Sequence, residues 1–224
     1  GCGVLKGIHE VRPGWSGYYE NGELSLTPYW RLTDRIHEDD LPTTLHTVRE
    51  LVTDAIRRQL VSDVPIGCFL SGGLDSSILA AVAARSLKKR GQVLDTFSVT
   101  YRENERYFRA SRFQPNSDDE YIGLMTRALG SRHHRIELDT GELADALYDA
   151  VDARDLPGMA DVDSSLLLFC KKVCQDITVA LSGECADEIF GGYPWYRDPG
   201  LRAREGFPWA QSTVFRISLL AQAA

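Results

Sequence analysis

The chain has 224 residues, a formal net charge of −7 and a 43% share of hydrophobic residues. That length holds one large domain or a domain with an appendage, and the apolar share is enough for a substantial core. The acidic balance speaks against a nucleic-acid partner, no apolar run reaches membrane-spanning length, and the first residues carry no signal-peptide pattern. The five cysteines (Cys2, Cys68, Cys170, Cys174, Cys185) are odd in number and lack paired zinc-type spacing, which fits a reducing cytoplasm. Cys170 and Cys174, four apart, read as small core residues on one helix face.

Residues 1–30 are dense in Gly, Tyr, Trp and Pro, and read as short β structure followed by a connection. Glu20-Asn21-Gly22-Glu23 is a hairpin signal, because Asn-Gly supplies the turn geometry. Residues 40–62 read as a helix with Pro42 near its start and Arg57 and Arg58 near its end. Its stripe of Leu45, Val48, Leu51, Val52, Ala55, Ile56 and Leu60 is expected to pack on a sheet. Val64 to Leu70 is apolar on both faces, as inside a parallel sheet. A Ser71-Gly72-Gly73 turn follows, then a helix from Ser76 to Lys89 with Ile78, Leu79, Val82 and Ala83 on its apolar face.

Gly91 stops that helix, and Val93 to Tyr101 reads as a second strand. Residues 102–117 are polar and form a long loop, of the kind that is functional or mobile. Ser117 or Asp118 caps a helix ending at Leu129–Gly130, and His133 to Leu138 reads as a third strand. His133 and His134 are adjacent on that strand and point to opposite faces, so joint metal binding is not expected. Thr140 caps a further helix through Val151. Residues 155–165 form a loop feeding a helix through Val173, and Ile177 to Leu181 is the fourth strand. Gln211 to Ala221 begins another helix.

Strands alternating with helices imply a parallel sheet flanked by helices. Ligands bind such sheets at the carboxyl ends of the strands, so Ser71-Gly72-Gly73 and Ser182-Gly183-Glu184 are expected on one edge. A glycine-rich turn opening a helix aims backbone N–H groups and the helix dipole at an anion. This turn is not a Walker A loop, which needs a Gly-x-x-x-x-Gly-Lys-Ser/Thr run. It offers the hydroxyls of Ser71, Ser76 and Ser77 and one carboxylate, Asp75. A carboxylate does not hold a phosphate without a cation between them, so Asp75 points to Mg²⁺. The bland alternative is a sharp strand-turn-helix corner with Ser as helix cap.

The second constellation is Ser182-Gly-Glu184-Cys-Ala-Asp187-Glu188. In a helix, Glu184 and Glu188 share a face with Asp187 as neighbour. Clustered carboxylates repel unless something cationic lies among them. Acidic residues also favour helix N-termini on their own account.

Ser-Gly-Gly-Leu-Asp-Ser resembles the pyrophosphate loop of the ATP pyrophosphatases. Leu181-Ser-Gly-Glu-Cys-Ala-Asp-Glu-Ile-Phe-Gly-Gly-Tyr193 resembles the second signature of glutamine-hydrolysing asparagine synthetases. Asp155-Leu-Pro-Gly-Met-Ala-Asp161 and Asp163-Ser-Ser are similar to that family's loop facing the aspartyl adenylate. Residues 4–14 resemble the closing strands of a glutaminase domain, with Tyr29-Trp30 leading onward. The resemblance therefore implies a glutaminase tail and linker over 1–30 and a C-terminally truncated synthetase domain over 31–224. Gly1 precedes Cys2, so Cys2 has no free α-amine for glutaminase chemistry.

The fold implied is the α/β adenine nucleotide α-hydrolase type. The activity implied is ATP-dependent amidation of aspartate through a β-aspartyl-AMP, with ATP and Mg²⁺ as cofactors. Leu70, Ser71 and Val99 would cradle adenosine, with Gly183 near the ribose and α-phosphate. Ser71, Gly73, Asp75 and Ser76 would hold pyrophosphate, and Gly72 and Ser182 complete the two loops. Asp75 and Asp187 would hold Mg²⁺, and Glu184 would accept the proton of ammonia. Asp75, Glu184 and Asp187 are the implied catalytic set. The implied partners are aspartate, ATP, ammonia and the glutaminase domain, with a homodimer compatible. No lysine follows Lys172, so the family's basic residue for pyrophosphate has no match here. The rivals are a β-lactam synthetase type of carboxylate adenylation and a nucleotide-binding domain without turnover. Retention of Glu184 speaks against the second.

Overall fold

A computed structural model describes residues 5–108, 118–156, 158–203 and 218. Cys2, the 109–117 part of the long loop and nearly all of the 211–221 segment lie outside them. The chain divides into two units, Gly1–Val48 and Arg49–Ala224.

In the first unit β1 (Trp15–Glu20) and β2 (Glu23–Pro28) form an antiparallel hairpin in which Glu20 faces Glu23. Asn21 and Gly22 both take positive φ (+51° and +86°). That is the two-residue turn whose twist matches the twist of paired strands.

Helix α1 (Leu41–Gln59) straddles the boundary between the units. The second unit continues as β3 (Ile66–Phe69), α2 (Leu74–Lys88), β4 (Asp95–Tyr101), α3 (Asn104–Tyr107), α4 (Asp119–Leu129) and β5 (Arg132–Leu138). Then come α5 (Thr140–Asp145), α6 (Leu147–Arg154), α7 (Ala160–Val173), β6 (Val179–Leu181), α8 (Ala186–Phe190), α9 (Pro194–Arg197) and α10 (Pro199–Arg202). The four later strands form one sheet in the order β5-β4-β3-β6, with every pairing parallel. The chain builds outward from β3 to β4 and β5, then returns to lay β6 on the other side of β3. A crevice opens at the carboxyl ends of two strands where the order reverses in this way.

Alternation along β3 explains the two cores. Ile66, Cys68 and Leu70 join Ala80, Ala83, Leu87, Ile122 and Leu181 on one face. Phe69 joins Phe97, Phe169, Val173 and Ile177 on the other. Residues two apart share a face of a strand, so helices must cover both sides. Burial of Cys68 pushes its thiol up to about 12, which leaves it an inert packing group. The buried positions of α2 are Ser76, Ala80, Ala83 and Leu87, at spacings of four, three and four. The helix is thus turned so that small alanines, rather than Ile78 and Val82, lie deepest. It also starts two residues before the predicted Ser76.

Strand β4 is polar on the α2 side, where Thr96, Ser98 and Thr100 are buried. His133 lies between two of them, Nδ1 at 3.1 Å from Thr96 Oγ1 and Nε2 at 3.0 Å from Ser98 Oγ. His134 lies on the opposite face, stacked on Phe97 at 4.6 Å with Nε2 at 2.8 Å from Asp95. The two histidines therefore diverge as expected. At the far end of the same strand pair, Arg132 donates twice to Asp95, at 2.5 and 2.8 Å, and holds that carboxyl below its ordinary range.

Several sequence expectations need correction. Within the second unit the α1 stripe does not pack on the sheet along its whole length: Leu51 is 65% exposed, and contact with the core begins only at Ile56 and Leu60. Cys170 and Cys174 are exposed, not core, because the buried side of α7 runs through Phe169 and Val173. The helix after β5 is capped by Asp139 rather than Thr140. Asp139 accepts from Gly141 N–H, Glu142 reaches back to Asp139 N–H, and the helix breaks in two at Ala146. The predicted 155–165 loop is half helix, since α7 begins at Ala160. Part of the 102–117 loop is the short helix α3. No helix among the described residues is long and apolar enough to cross a membrane.

Gly67 sits where a Cβ would stand 2.8 Å from Ile177 Cδ1 and 2.9 Å from the Asp95 carbonyl oxygen. The carbonyl belongs to the sheet and cannot swing away. Gly67→Ala is therefore expected to cost about 1–3 kcal/mol in urea denaturation, the range for overpacking a core. Burial, with the neighbouring His134 and Arg135 charges, holds His133 below its ordinary value of 6.5. The folded protein thus binds fewer protons there than the unfolded chain, and this contribution is complete above pH 6.5 and declines as pH falls below it. The stability of the parent relative to His133→Gln is expected to fall between pH 7.5 and 5, read from denaturation midpoints.

Candidate active site

At the carboxyl end of β3, Leu70 donates its N–H to the Phe97 carbonyl at 2.8 Å, so the chain stays in the sheet until the turn begins. Gly72 then takes φ +79°, and a Cβ there would stand 2.9 Å from the Asp118 carbonyl. Only glycine suits both the left-handed backbone and the close approach of α4. The serines lace the turn from inside. Ser71 Oγ and Ser76 Oγ are 3.0 Å apart, Ser76 Oγ donates to the Gly73 carbonyl at 3.2 Å, and Gly73 N–H donates to Ser71 Oγ at 3.3 Å. Helix α2 opens at Gly73 without a side-chain cap, so the serines close the turn on itself rather than capping the helix.

The second loop leaves β6, the neighbour of β3. Glu184 N–H donates to Ser182 Oγ at 3.2 Å, Cys185 takes φ +70°, and α8 starts only at Ala186. Glu184 is thus in the turn, not the helix, which corrects the expectation that it shares a helix face with Glu188. Gly183 lies directly over the start of α2: a Cβ there would stand 3.1 Å from both Asp75 Cβ and Ser76 N. The missing side chain lets the two loops meet.

They meet over a cavity of about 580 Å³ whose wall includes Leu70, Ser71, Gly73, Asp75, Ser76, Val99, Ser182, Gly183, Glu184 and Asp187. Of the residues singled out in the sequence, Ser77, Asp163 and Glu188 are outside that wall, and so is Gly72. Its part is to shape the turn. Asp163 is turned aside into an ion pair with Arg154 at 2.5 Å, while Ser165 faces the cavity and its Oγ lies 2.7 Å from Tyr101 Oη. Sequence reasoning missed Tyr101, Ser98 and Tyr193 as wall residues. Tyr193 was legible only as the end of the second signature. Its ring stacks on Trp195 at 4.3 Å, and burial together with the Glu188, Asp187 and Glu184 charges pushes its hydroxyl up.

The electrostatics of the wall are one-sided. Among the described residues it carries five carboxylates (Asp75, Asp118, Asp119, Glu184, Asp187) and no lysine or arginine. Asp119 is balanced by Arg135 at 3.3 Å. Asp75 is pushed up, first by burial and then by the charge of Asp187. No three His, Cys, Asp or Glu side chains among the described residues converge as a complete metal cage. Two neighbouring carboxylates without a third are the donor set of an ion that takes its remaining oxygens from substrate and water, the habit of Mg²⁺.

Comparison with known proteins gives a family match. The asparagine synthase family model matches residues 47–224. The chain is 50% identical to glutamine-hydrolyzing asparagine synthetase 3 of Bacillus subtilis (strain 168), over 98% of this chain and 36% of that one. It is 32% identical to glutamine-hydrolyzing asparagine synthetase 1 of the same organism, over 86% of this chain and 28% of that one. The chain thus spans about a third of the length of these curated relatives. Among solved structures, NAD+ synthetase from Burkholderia pseudomallei is similar over 69% of this chain and 67% of that one. Its 16% identity and TM-score of 0.36 are too weak to bear on function.

The Asp75–Asp187 repulsion has a measurable consequence. Asp75→Asn is expected to raise the denaturation midpoint of the ligand-free protein at pH 7.5. The gain is expected to be smaller in an Asp187→Asn background, because each substitution removes the same repulsion. Equal gains in both backgrounds would show that the two carboxylates do not interact.

Proposed function

The chain belongs to the asparagine synthase family, and on that footing we propose that its cavity carries out the ATP-dependent amidation of aspartate to asparagine, releasing AMP and pyrophosphate. The observation that supports this most is the meeting of two strand-end loops at the sheet's reversal. One supplies hydroxyls, backbone N–H groups and Asp75, the other Glu184 and Asp187.

The β-carboxylate of aspartate is a poor electrophile, because its leaving group would be oxide. In the proposed reaction it attacks the α-phosphorus of ATP. The bond from that phosphorus to the pyrophosphate oxygen breaks, and a β-aspartyl adenylate forms. Ser71, Gly73 and Ser76 hold the pyrophosphate, and Leu70, Val99 and Gly183 bound the nucleoside. Asp75 and Asp187 are the residues to hold Mg²⁺, which when bound offsets charge building on the leaving group. Ammonia then attacks the acyl carbon, AMP leaves with the bonding pair, and Glu184 takes the spare proton. The exposure of Glu184 on the second loop suits a group that meets a small incoming nucleophile. Ammonia would come from glutamine hydrolysis, as the names of the relatives state for them, and the exposed free cysteines Cys170, Cys174 and Cys185 suit a cytoplasmic setting.

The test is AMP and pyrophosphate release from Mg-ATP with ammonium chloride, with and without aspartate. Aspartate-dependent AMP release is expected, lost in Asp75→Asn. Glu184→Gln is expected to keep aspartate-dependent exchange of pyrophosphate into ATP while asparagine formation drops about 100-fold, the lower bound for losing a proton acceptor. Adenylation of a different carboxylate with aspartate inert would favour the ring-closing relatives, and nucleotide binding with no release would leave a binding domain.

A further inference from the structure

One ion pair at the cavity has no part in the proposed chemistry. Arg135 lies on β5 opposite Ser98 of β4, and its guanidinium reaches along the sheet toward the carboxyl edge. There Nη2 donates to Thr100 Oγ1 at 3.3 Å and lies 3.3 Å from Asp119 Oδ1. Thr100 and Asp119 are both wall residues, and Arg135 stands behind them rather than in the wall. Thr100 is buried on β4, so it gives the arginine a fixed anchor.

Asp119 answers to two opposed demands. It lies in the first turn of α4, where unpaired N–H groups and the helix dipole favour an acid. The same side chain faces a cavity proposed to hold a polyphosphate, which its charge repels. Asp75 and Asp187 are reconciled with that ligand by the Mg²⁺ proposed for them, and Asp119 on α4 is not of that set. Arg135 supplies the opposite charge at Asp119 instead. With the Asp119 side chain 38% and the Arg135 side chain 55% exposed, the pair contributes little to stability. Its effect on the field inside the cavity reaches further, because charge–charge energy falls only as the inverse of distance.

We propose that Arg135 is a positioning residue for anion binding: anchored on Thr100, it offsets the charge of Asp119 and so lets this acid-lined cavity accept a polyphosphate. This rests on the reading of the cavity as a nucleotide site. Arg135 acts through Asp119 and needs no contact with the ligand. Its removal adds one net negative charge at the wall, and removal of the Asp119 charge cancels that change.

Titration calorimetry of the full chain with Mg-ATP, at low ionic strength, tests this. Arg135→Gln is expected to weaken Mg-ATP about three- to tenfold, the effect of one charge acting across a largely aqueous cavity. Asp119→Asn alone is expected to tighten it by about twofold or more, and the double variant to return to within about twofold of the parent. In about 0.5 M sodium chloride the loss in Arg135→Gln is expected to shrink to within about twofold. Adenosine, which carries no charge, is expected to bind the parent and all variants alike. Unchanged Mg-ATP affinity in Arg135→Gln, a loss that Asp119→Asn does not restore, or an equal loss for adenosine overturns the proposal and leaves the nucleotide site standing. Asp119→Asn needs no loss of the arginine, and unchanged or weaker Mg-ATP binding by it also overturns the proposal. A parent that binds no Mg-ATP overturns both readings.

Discussion

The site is built around two carboxylates that ought to be apart. Asp75 opens a helix after one central strand, Asp187 opens another after the neighbouring strand, and the fold brings both into one cavity with no basic residue among its described walls. Asp75 bears the cost as a raised affinity for protons, caused by burial and by Asp187. The proposed function accounts for the arrangement by a cation held between the two, and perturbed groups of this kind gather at functional sites. A polyphosphate in an acid-lined cavity makes sense only with a cation between the two. That requirement links the charge of the wall to the chemistry proposed for it.

Close approach is the second condition, and small residues meet it. Gly183 lies over the start of α2, Gly72 admits the Asp118 carbonyl, and Gly67 lies under Ile177 with no room for a methyl group. Ala80 and Ala83 let α2 settle onto the sheet. Each removes the bulk that would otherwise hold two backbone segments apart. The loops touch because of where side chains are missing as much as where they are present.

The sheet also carries information sideways. Strand β4 carries buried hydroxyls on one face, and they are satisfied from the neighbouring strand, Thr96 and Ser98 by His133 and Thr100 by Arg135. Among the described residues no buried side-chain polar atom lacks a partner. A fully satisfied polar seam fixes proton positions, which an apolar seam cannot do.

How much of this was legible in the sequence depends on the range of the interaction. Alternating strands and helices, the Asn21-Gly22 turn, the stop at Gly130 and the placing of both loops after strands follow from local backbone preferences and from the rule that connections between parallel strands cross over. The residue types of the two loops likewise raised phosphate and cation chemistry as an expectation, which the proposed function takes up. Periodicity, however, says which residues share a face and not what covers it. The α1 stripe and the Cys170–Cys174 face were sound as patterns, yet Leu51 of the first and both cysteines of the second lie open, because burial depends on neighbours distant in sequence. A left-handed Cys185 takes Glu184 off the helix, and the grouping of Ser98 with His133, or Tyr193 with three acids, exists only once strands 35 residues apart are paired and loops are folded back. The sequence by itself determined the elements and the chemistry available at their ends. The tertiary structure alone decided which charges share a cavity, because electrostatic repulsion, burial and hydrogen-bond direction act between atoms near in space rather than near in the chain.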